Sequence, residues 1–382
     1  MLDVLLAGSV AFIITFLAIP VLLEIAELKK LYDIPDDRKI HGRPVASLGG
    51  VGIFAGFLLA SLLSISGYSN PEFQYFFAAA LVIFFLGLKD DLIVLSAFKK
   101  IIGQVIAASI LIHLGGIKLT SMHGLFGFYE VPEAFSMALS YLTIIVVINS
   151  FNLIDGVDGL AATLGLLTTT IFGIYFLLAG NIAYTLMAFS MCGSLFAFLI
   201  FNHHPAKIFM GDSGSLMIGL VNAILAIKFI NVADAPASPF PVAAPVAMAF
   251  AILMVPLLDT LRVFSIRIFS GRSPFTPDRN HVHHLMLNRG LSHSLVTISC
   301  FLINVFFIVL AWYCKSWGSN YVLLTVLSIS FMALGLLYYR KPRTVGLVVA
   351  KQNAGKTIKT EFKPASKIVT LTKEAAAVAD QK

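Results

Sequence analysis

Eleven stretches of this chain are apolar over roughly 17–22 residues, the length of helix that crosses about 30 Å of hydrocarbon. They lie near 2–23, 49–67, 73–88, 99–114, 135–151, 160–178, 183–201, 214–230, 241–261, 295–314 and 320–339. No soluble architecture accommodates that many. Only 12% of the 382 residues are charged and mean hydropathy is +0.90, whereas soluble domains are about 25% charged. The pattern predicts an all-α polytopic membrane protein with about eleven transmembrane helices. The first run has neither a basic leader nor a small-residue cleavage site, so it reads as a retained helix.

Basic residues orient the spans. Of 27 Lys and Arg, all but Lys118, Lys228 and Lys315 fall on one side when eleven spans are threaded from an outside N-terminus. That side is expected to be the cytoplasm, with the chain in a bacterial inner membrane. The net charge of +7 then reports topology and contact with anionic membrane lipids, and nucleic acid is not expected as a partner. Residues 341–382, Lys-rich and of mixed polarity, read as a disordered basic tail appended to a transmembrane catalytic domain, 1–340. Cys192, Cys300 and Cys314 lie in or at the ends of spans at no metal-like spacing and read as buried apolar residues.

Polar chemistry gathers in the inward loops. The stretch Asn149-Ser-Phe-Asn-Leu-Ile-Asp-Gly-Val-Asp-Gly159 joins two spans and carries Asp155 and Asp158, each followed by glycine. A helix starting near Asp155 would set both acids on one face of its first turn; the plainer alternative is a helix cap beside a turn. Span three ends in Lys89-Asp-Asp-Leu92, where two carboxylates oppose the helix dipole at a costly depth. Phe209-Met-Gly-Asp-Ser-Gly-Ser215 offers Asp212, two hydroxyls and helix N-terminal amides, a set suited to a metal-bound phosphate or simply to capping.

Two further loops are basic. The first, containing Lys39, His41 and Arg43 before Gly49-Gly50, either cradles an anion or marks topology and close helix packing. The last runs from Asp259-Thr-Leu-Arg-Val through Arg279 to Asn280-His-Val-His-His284. Its cationic surroundings favour anion clamping over a closed zinc site, with a wet basic loop at lipid headgroups as the alternative. The outward segment Gly115–Glu133 suggests a small hairpin or surface helix.

Four of these motifs occur in one order, and together they resemble the polyprenyl-phosphate N-acetylhexosamine-1-phosphate transferases over roughly residues 1–340. The His-Val-His-His form and the Asp259-Thr-Leu-Arg-Val segment are closer to the WecA-type members than to MraY. The resemblance implies transfer of N-acetylhexosamine 1-phosphate, by default N-acetylglucosamine 1-phosphate, from a UDP-sugar to undecaprenyl phosphate, with release of UMP. It implies Mg²⁺ as cofactor, with Mn²⁺ as a substitute, and a second copy of the chain as a possible partner.

By motif, Asp212 is the expected main metal ligand, with Asp91 beside it. Asp90 borders the metal and the lipid phosphate and is a candidate base. Asn152, Asp155 and Asp158 are expected to line the nucleotide and diphosphate, Phe209 to stack on uracil, and His281, His283 and His284 to hold the diphosphate. Lys39, His41, Arg43 and Arg279 are expected to bind substrate. A cation-coupled transporter is the rival of another class, but its acids belong near the bilayer midplane and these lie at helix ends. A CDP-alcohol phosphatidyltransferase would need an arginine after Asp-Gly-Val-Asp-Gly-Leu-Ala-Ala, and none stands there.

Overall fold

A computed structural model describes residues 1–33, 45–234, 238–271 and 281–339. In chain order the helices are α1 (Leu2–Lys29), α2 (Gly49–Ser64), α3 (Glu72–Leu92), α4 (Ala97–Ser109, continued by a π turn, Ile110–Leu114), α5 (Glu133–Ile154), α6 (Leu160–Leu178), α7 (Ile182–Asn202) and α8 (Gly211–Ala233). After α8 come α9 (Pro245–Ile252), α10 (Met254–Phe269), the six-residue α11 (Val282–Leu287), α12 (His293–Cys314) and α13 (Ser319–Tyr339). Two short antiparallel ribbons complete the fold, β1 (Tyr32–Asp33) with β2 (Val45–Ala46), and β3 (Ser121–Leu125) with β4 (Phe128–Glu130). The expected hairpin in the 115–133 segment is β3–β4.

Every expected span is helical. Among the described residues, eight helices are long and apolar enough to cross a membrane, nine if the bent pair α9–α10 is one span. The remaining two expected spans are α2, with 16 residues and about 24 Å of rise, and α3, which carries two acids in its last turn. This is a multi-pass membrane protein.

The bundle is built around α8. In its apolar window 83% of residues are buried inside the protein, against 17% for the peripheral α13. Its sequence is small or apolar on every side, as a helix enclosed by others requires. Close approach is arranged by glycine. A Cβ on Gly219 would meet Ile148 Cα of α5 at 2.5 Å, one on Gly87 of α3 would meet Ser213 Cα at 2.5 Å, and one on Gly50 of α2 would meet the Gly214 nitrogen at 2.2 Å. Small-residue contacts of this kind substitute for the missing hydrophobic drive between helices in lipid. They also bring the ends of α2, α3 and α5 to the first turn of α8.

Between α9 and α10 the chain bends by 84°. Pro256 has no N–H to donate to the Ile252 carbonyl one turn back. Asn304 of α12 takes over both sides of the break: its Nδ2 donates to the Ile252 carbonyl (2.8 Å), and its Oδ1 accepts from Val255 N–H (2.9 Å). A fully buried asparagine on an otherwise apolar helix face is thereby satisfied, and so are the backbone groups the bend frees.

Candidate active site

Asp90 and Asp91 end α3, where the helix dipole disfavours negative charge. The packing resolves this conflict by meeting the opposite pole of α8. Asp91 Oδ1 accepts the Asp212 N–H (2.6 Å), and Oδ2 accepts the Ser213 N–H (3.1 Å) and hydroxyl (2.6 Å). The carboxylate that sits badly on its own helix thus caps a neighbouring one. Gly211 makes room for it: φ is +70°, and a Cβ there would lie 2.6 Å from Asp91 Oδ1. Both Asp91 oxygens are taken up by three donors. These donors fix the carboxylate that was expected beside the metal at the N-terminus of α8.

Asp90 and Asp212 share a different cation. Lys100, on the first turn of α4, reaches Asp90 Oδ2 at 2.7 Å and Asp212 Oδ2 at 2.6 Å. Asp90 Oδ1 accepts the Leu95 N–H (2.6 Å), which closes the turn after α3. Asp212 Oδ1 accepts from Asn152 Nδ2 (2.9 Å), and the same amide reaches Ser215 Oγ at 3.0 Å. Gln104 of α4 pairs with Asn149 of α5, fixing the helix that carries Lys100 against the one that carries Asn152.

The two acids after α5 separate. The helix ends at Ile154 and α6 begins only at Leu160, so Asp155 and Asp158 lie in the loop and not on one face of a first turn. The tight Asp-Gly-Val-Asp-Gly sequence prevents the second helix from starting early. Asp155 turns toward the acids: burial, then the charges of Asp212, Asp91 and Asp158, push its carboxyl up to about 8. Asp158 turns away, to His204 Nδ1 at 2.6 Å and His293 Nδ1 at 3.4 Å, with the Ala206 N–H at 3.3 Å. Burial alone would raise it; hydrogen bonds from His293 and His204 outweigh that and hold it at about 2. Thr297 of α12 also donates to the Asp158 carbonyl (3.0 Å). The Asp158, His204 and His293 ligand atoms all lie within 4.8 Å of one another, and Asp158 and His204 line a cavity of about 220 Å³ together with Leu199, Ile298 and Phe301.

The histidine motif docks on this loop. His283 is 2% exposed, and a Cβ on Gly156 would lie 2.5 Å from its Nε2, so only glycine fits there. Burial, reinforced by neighbouring histidines and opposed by Asp259, holds His283 down at about 3. It is therefore neutral at working pH, and it meets the acid loop by shape more than by charge. His281 pairs with Asp259 of α10, while the His284 ring lies 4.5 Å from that of His283. Phe209 is half-buried on the segment before α8. There it donates its N–H to Ala46 of β2 (2.7 Å) and its carbonyl accepts from Gly49 (2.9 Å).

Gly49 and Gly50 donate their N–H groups to Phe209 and Met210, so of the two readings of that glycine pair the structure shows packing and not an anion cradle. Lys39, His41, Arg43 and Arg279 lie outside the described residues, as does the 341–382 tail.

Lys100, His204 and His293 were not singled out for the site from the sequence, and Ser213 and Asp259 entered only as parts of longer motifs. Lys100 carried a signal, a basic residue one short connection after Asp90-Asp91. The others depend on contacts between distant segments.

Comparison with known proteins gives the same ordering of motifs a family. A model described as glycosyl transferase family 4 matches residues 73–230, the stretch from α3 to α8. A Bacillus subtilis (strain 168) protein named "Probable undecaprenyl-phosphate N-acetylglucosaminyl 1-phosphate transferase" is 32% identical over 329 residues, covering 82% of this chain and 87% of its own. The chain belongs to glycosyl transferase family 4. Among other relatives, the decaprenyl-phosphate N-acetylglucosaminephosphotransferase of Mycobacterium leprae is 33% identical over 78% of this chain and 80% of its own. The undecaprenyl-phosphate alpha-N-acetylglucosaminyl 1-phosphate transferase of Escherichia coli K12 is 28% identical over 70% of this chain and 72% of its own. The family match ends near the C-terminus of α8, so Asp259 and the histidine motif lie beyond it.

Proposed function

We propose that this glycosyl transferase family 4 member moves N-acetylglucosamine 1-phosphate from its UDP-sugar to undecaprenyl phosphate, releasing UMP, at the cytoplasmic face of a bacterial inner membrane. The observation that carries the reading is the convergence of Asp90, Lys100, Asn152 and Asp155 on Asp212 at one end of the bundle. The names of the relatives support the acceptor and the donor.

Both substrates are phosphate anions, and their approach is opposed until cations screen it. Asp155 fits a divalent cation: it is a half-buried acid whose charged neighbours are other acids, and Mg²⁺ favours one or two carboxylates plus phosphate oxygens and water. Asp212 with Asp155 would hold Mg²⁺, or Mn²⁺ in its place, and the ion when bound would offset charge on the transferring phosphoryl group. Lys100 supplies a fixed positive charge between Asp90 and Asp212, and Asn152 orients the Asp212 oxygens. Asp90, tied to Lys100 and the Leu95 N–H, positions that lysine. A proton acceptor is not required, because the acceptor phosphate is ionised near neutral pH.

The test is purified full-length protein with undecaprenyl phosphate, Mg²⁺ and a panel of UDP-sugars, scored by UMP release. UDP-N-acetylglucosamine is the expected donor, and a preference for a UDP-6-deoxy-N-acetylhexosamine would move the assignment within the same reaction. Absence of UMP with every sugar would overturn it. Flux across sealed vesicles without UMP would favour a transporter.

A further inference from the structure

Three helix ends meet beside the acid loop, and each brings one side chain of a kind that ligates metals. Asp158 lies just before α6, His204 just after α7, and His293 opens α12. Backbone contacts tie these ends together. Gly159 N–H donates to Asn202 Oδ1 (2.9 Å), and the Thr297 hydroxyl donates to the Asp158 carbonyl (3.0 Å). The Asp158 carboxylate lies between the two rings, with Oδ2 at 2.6 Å from His204 Nδ1 and Oδ1 at 3.4 Å from His293 Nδ1. The rings are 4.7 Å apart between centroids and inclined at 31°. His293 Nδ1 is buried, and among the described residues it has no partner besides that oxygen, at a separation beyond a well-made hydrogen bond.

We propose that Asp158, His204 and His293 form a site for Zn²⁺ or a similar transition-metal ion, separate from the oxygen-lined cation site at Asp155 and Asp212. Donor chemistry divides the two. Imidazole nitrogens with one carboxylate suit Zn²⁺, whereas Mg²⁺ takes oxygen ligands. The spacing agrees as well. Bonds of about 2.0 Å to a tetrahedral Zn²⁺ set its ligand atoms about 3.3 Å apart. His293 and Asp158 already stand at 3.4 Å. His204 must draw back by about 0.7 Å from its 2.6 Å contact to match that spacing, and its side chain is 42% exposed, which leaves it room to move. One nitrogen of each ring and one carboxylate oxygen make three ligands, and the ion displaces the proton held between Asp158 and His204. Water from the cavity that Asp158 and His204 line supplies the fourth. An ion bound there clasps α6, α7 and α12 together, whatever reaction the protein carries out.

The experiment uses the full chain in detergent, with any purification tag removed, stripped with EDTA and then held in excess Mg²⁺, which competes at oxygen-lined sites and not at this one. Zn²⁺ is titrated by calorimetry, Co²⁺ by its visible absorption, and melting is followed with and without Zn²⁺. Wild type is expected to take up one Zn²⁺ per chain and to melt a few degrees higher with it. X-ray absorption at the zinc edge should show a nitrogen and oxygen shell containing two imidazoles. Asp158→Asn, His204→Gln and His293→Gln should each weaken Zn²⁺ by more than the about 10- to 100-fold that loss of an outer partner costs, and each should lose the Zn²⁺-dependent rise in melting.

Zn²⁺ binding that is unchanged in all three variants overturns the proposal, as does wild type that takes up no Zn²⁺ in excess Mg²⁺. His284→Gln controls for the histidine motif. Loss of Zn²⁺ in that variant, with retention in His204→Gln, puts the ion elsewhere and overturns the site too. His204 is exposed at a helix end, so His204→Gln is expected to melt like metal-free wild type. If it does not fold, X-ray absorption on the wild type decides, and a shell without two imidazoles strikes the site. Release of UMP enters none of these readouts, so failure of the transfer reading and failure of the zinc site are told apart.

Discussion

The two ends of the bundle treat polar side chains in opposite ways. At the β3–β4 end they are matched to backbone. Asn231 accepts from Thr120 N–H and donates to the Lys118 carbonyl, Ser140 accepts from Leu119 N–H, and Asn320 accepts from Phe126 N–H. Even the charges there are balanced, Lys118 against Glu133 at 3.0 Å. At the other end Asp90 and Asp212 share one lysine, and Asp155 faces acids. Closed pairing stabilises a fold and has nothing left for a ligand. An excess of like charge is unfavourable until a cation or a substrate arrives, so imbalance marks the end that works.

Substitutions at the two ends should therefore separate turnover from stability. The largest effect is expected for Asp212→Asn: kcat for UMP release falls by about 10²–10³-fold, while thermal melting in detergent changes by a few degrees at most. A normal rate would mean that the acid excess is not functional. Lys100→Met comes next, with a loss of about 10²-fold in turnover and a lower melting temperature, because Asp90 and Asp212 then confront each other without a cation. If it melts like wild type, the lysine is not what holds the two acids together.

Asp155 sharpens the comparison through pH. Its folded carboxyl titrates near 8, above the ordinary 3.8, so between those values the folded protein binds the extra proton and stability falls as pH rises. Without divalent cation, Asp155→Asn should match wild type near pH 4 and melt progressively higher than it as pH climbs to 8, with the gap constant beyond. A gap that closes toward pH 8 reverses the assignment. The smallest effect belongs to the far end: Asn231→Ala should cost about 1 kcal/mol in unfolding experiments and leave turnover per folded molecule within about twofold.

How far the sequence carries the argument differs along the chain. Helices are legible because each must satisfy its own backbone in lipid, and the apolar runs report that directly. Asp90, Asp155 and Asp212 were visible because acids at helix ends are expensive. Which acid does what was not visible. Asp91 looks like its neighbour in sequence, yet one residue of helical rotation aims it at the α8 N-terminus. Asp158 repeats the Asp-Gly of Asp155, but the loop between them turns it to His204 and His293, from two other helix boundaries. Asp259 lies mid-helix beyond the family match, and only the bend before it brings it to His281. Helical rotation, loop direction and bend angle are tertiary quantities with no local signature.

The bridged break has a mechanical consequence. Near its start α12 grips Asp158 through His293 and Thr297, and three turns further on it splints the α9–α10 bend through Asn304. One helix thus holds both Asp158 and the direction in which α10 carries Asp259. A shift of that helix would displace the two together.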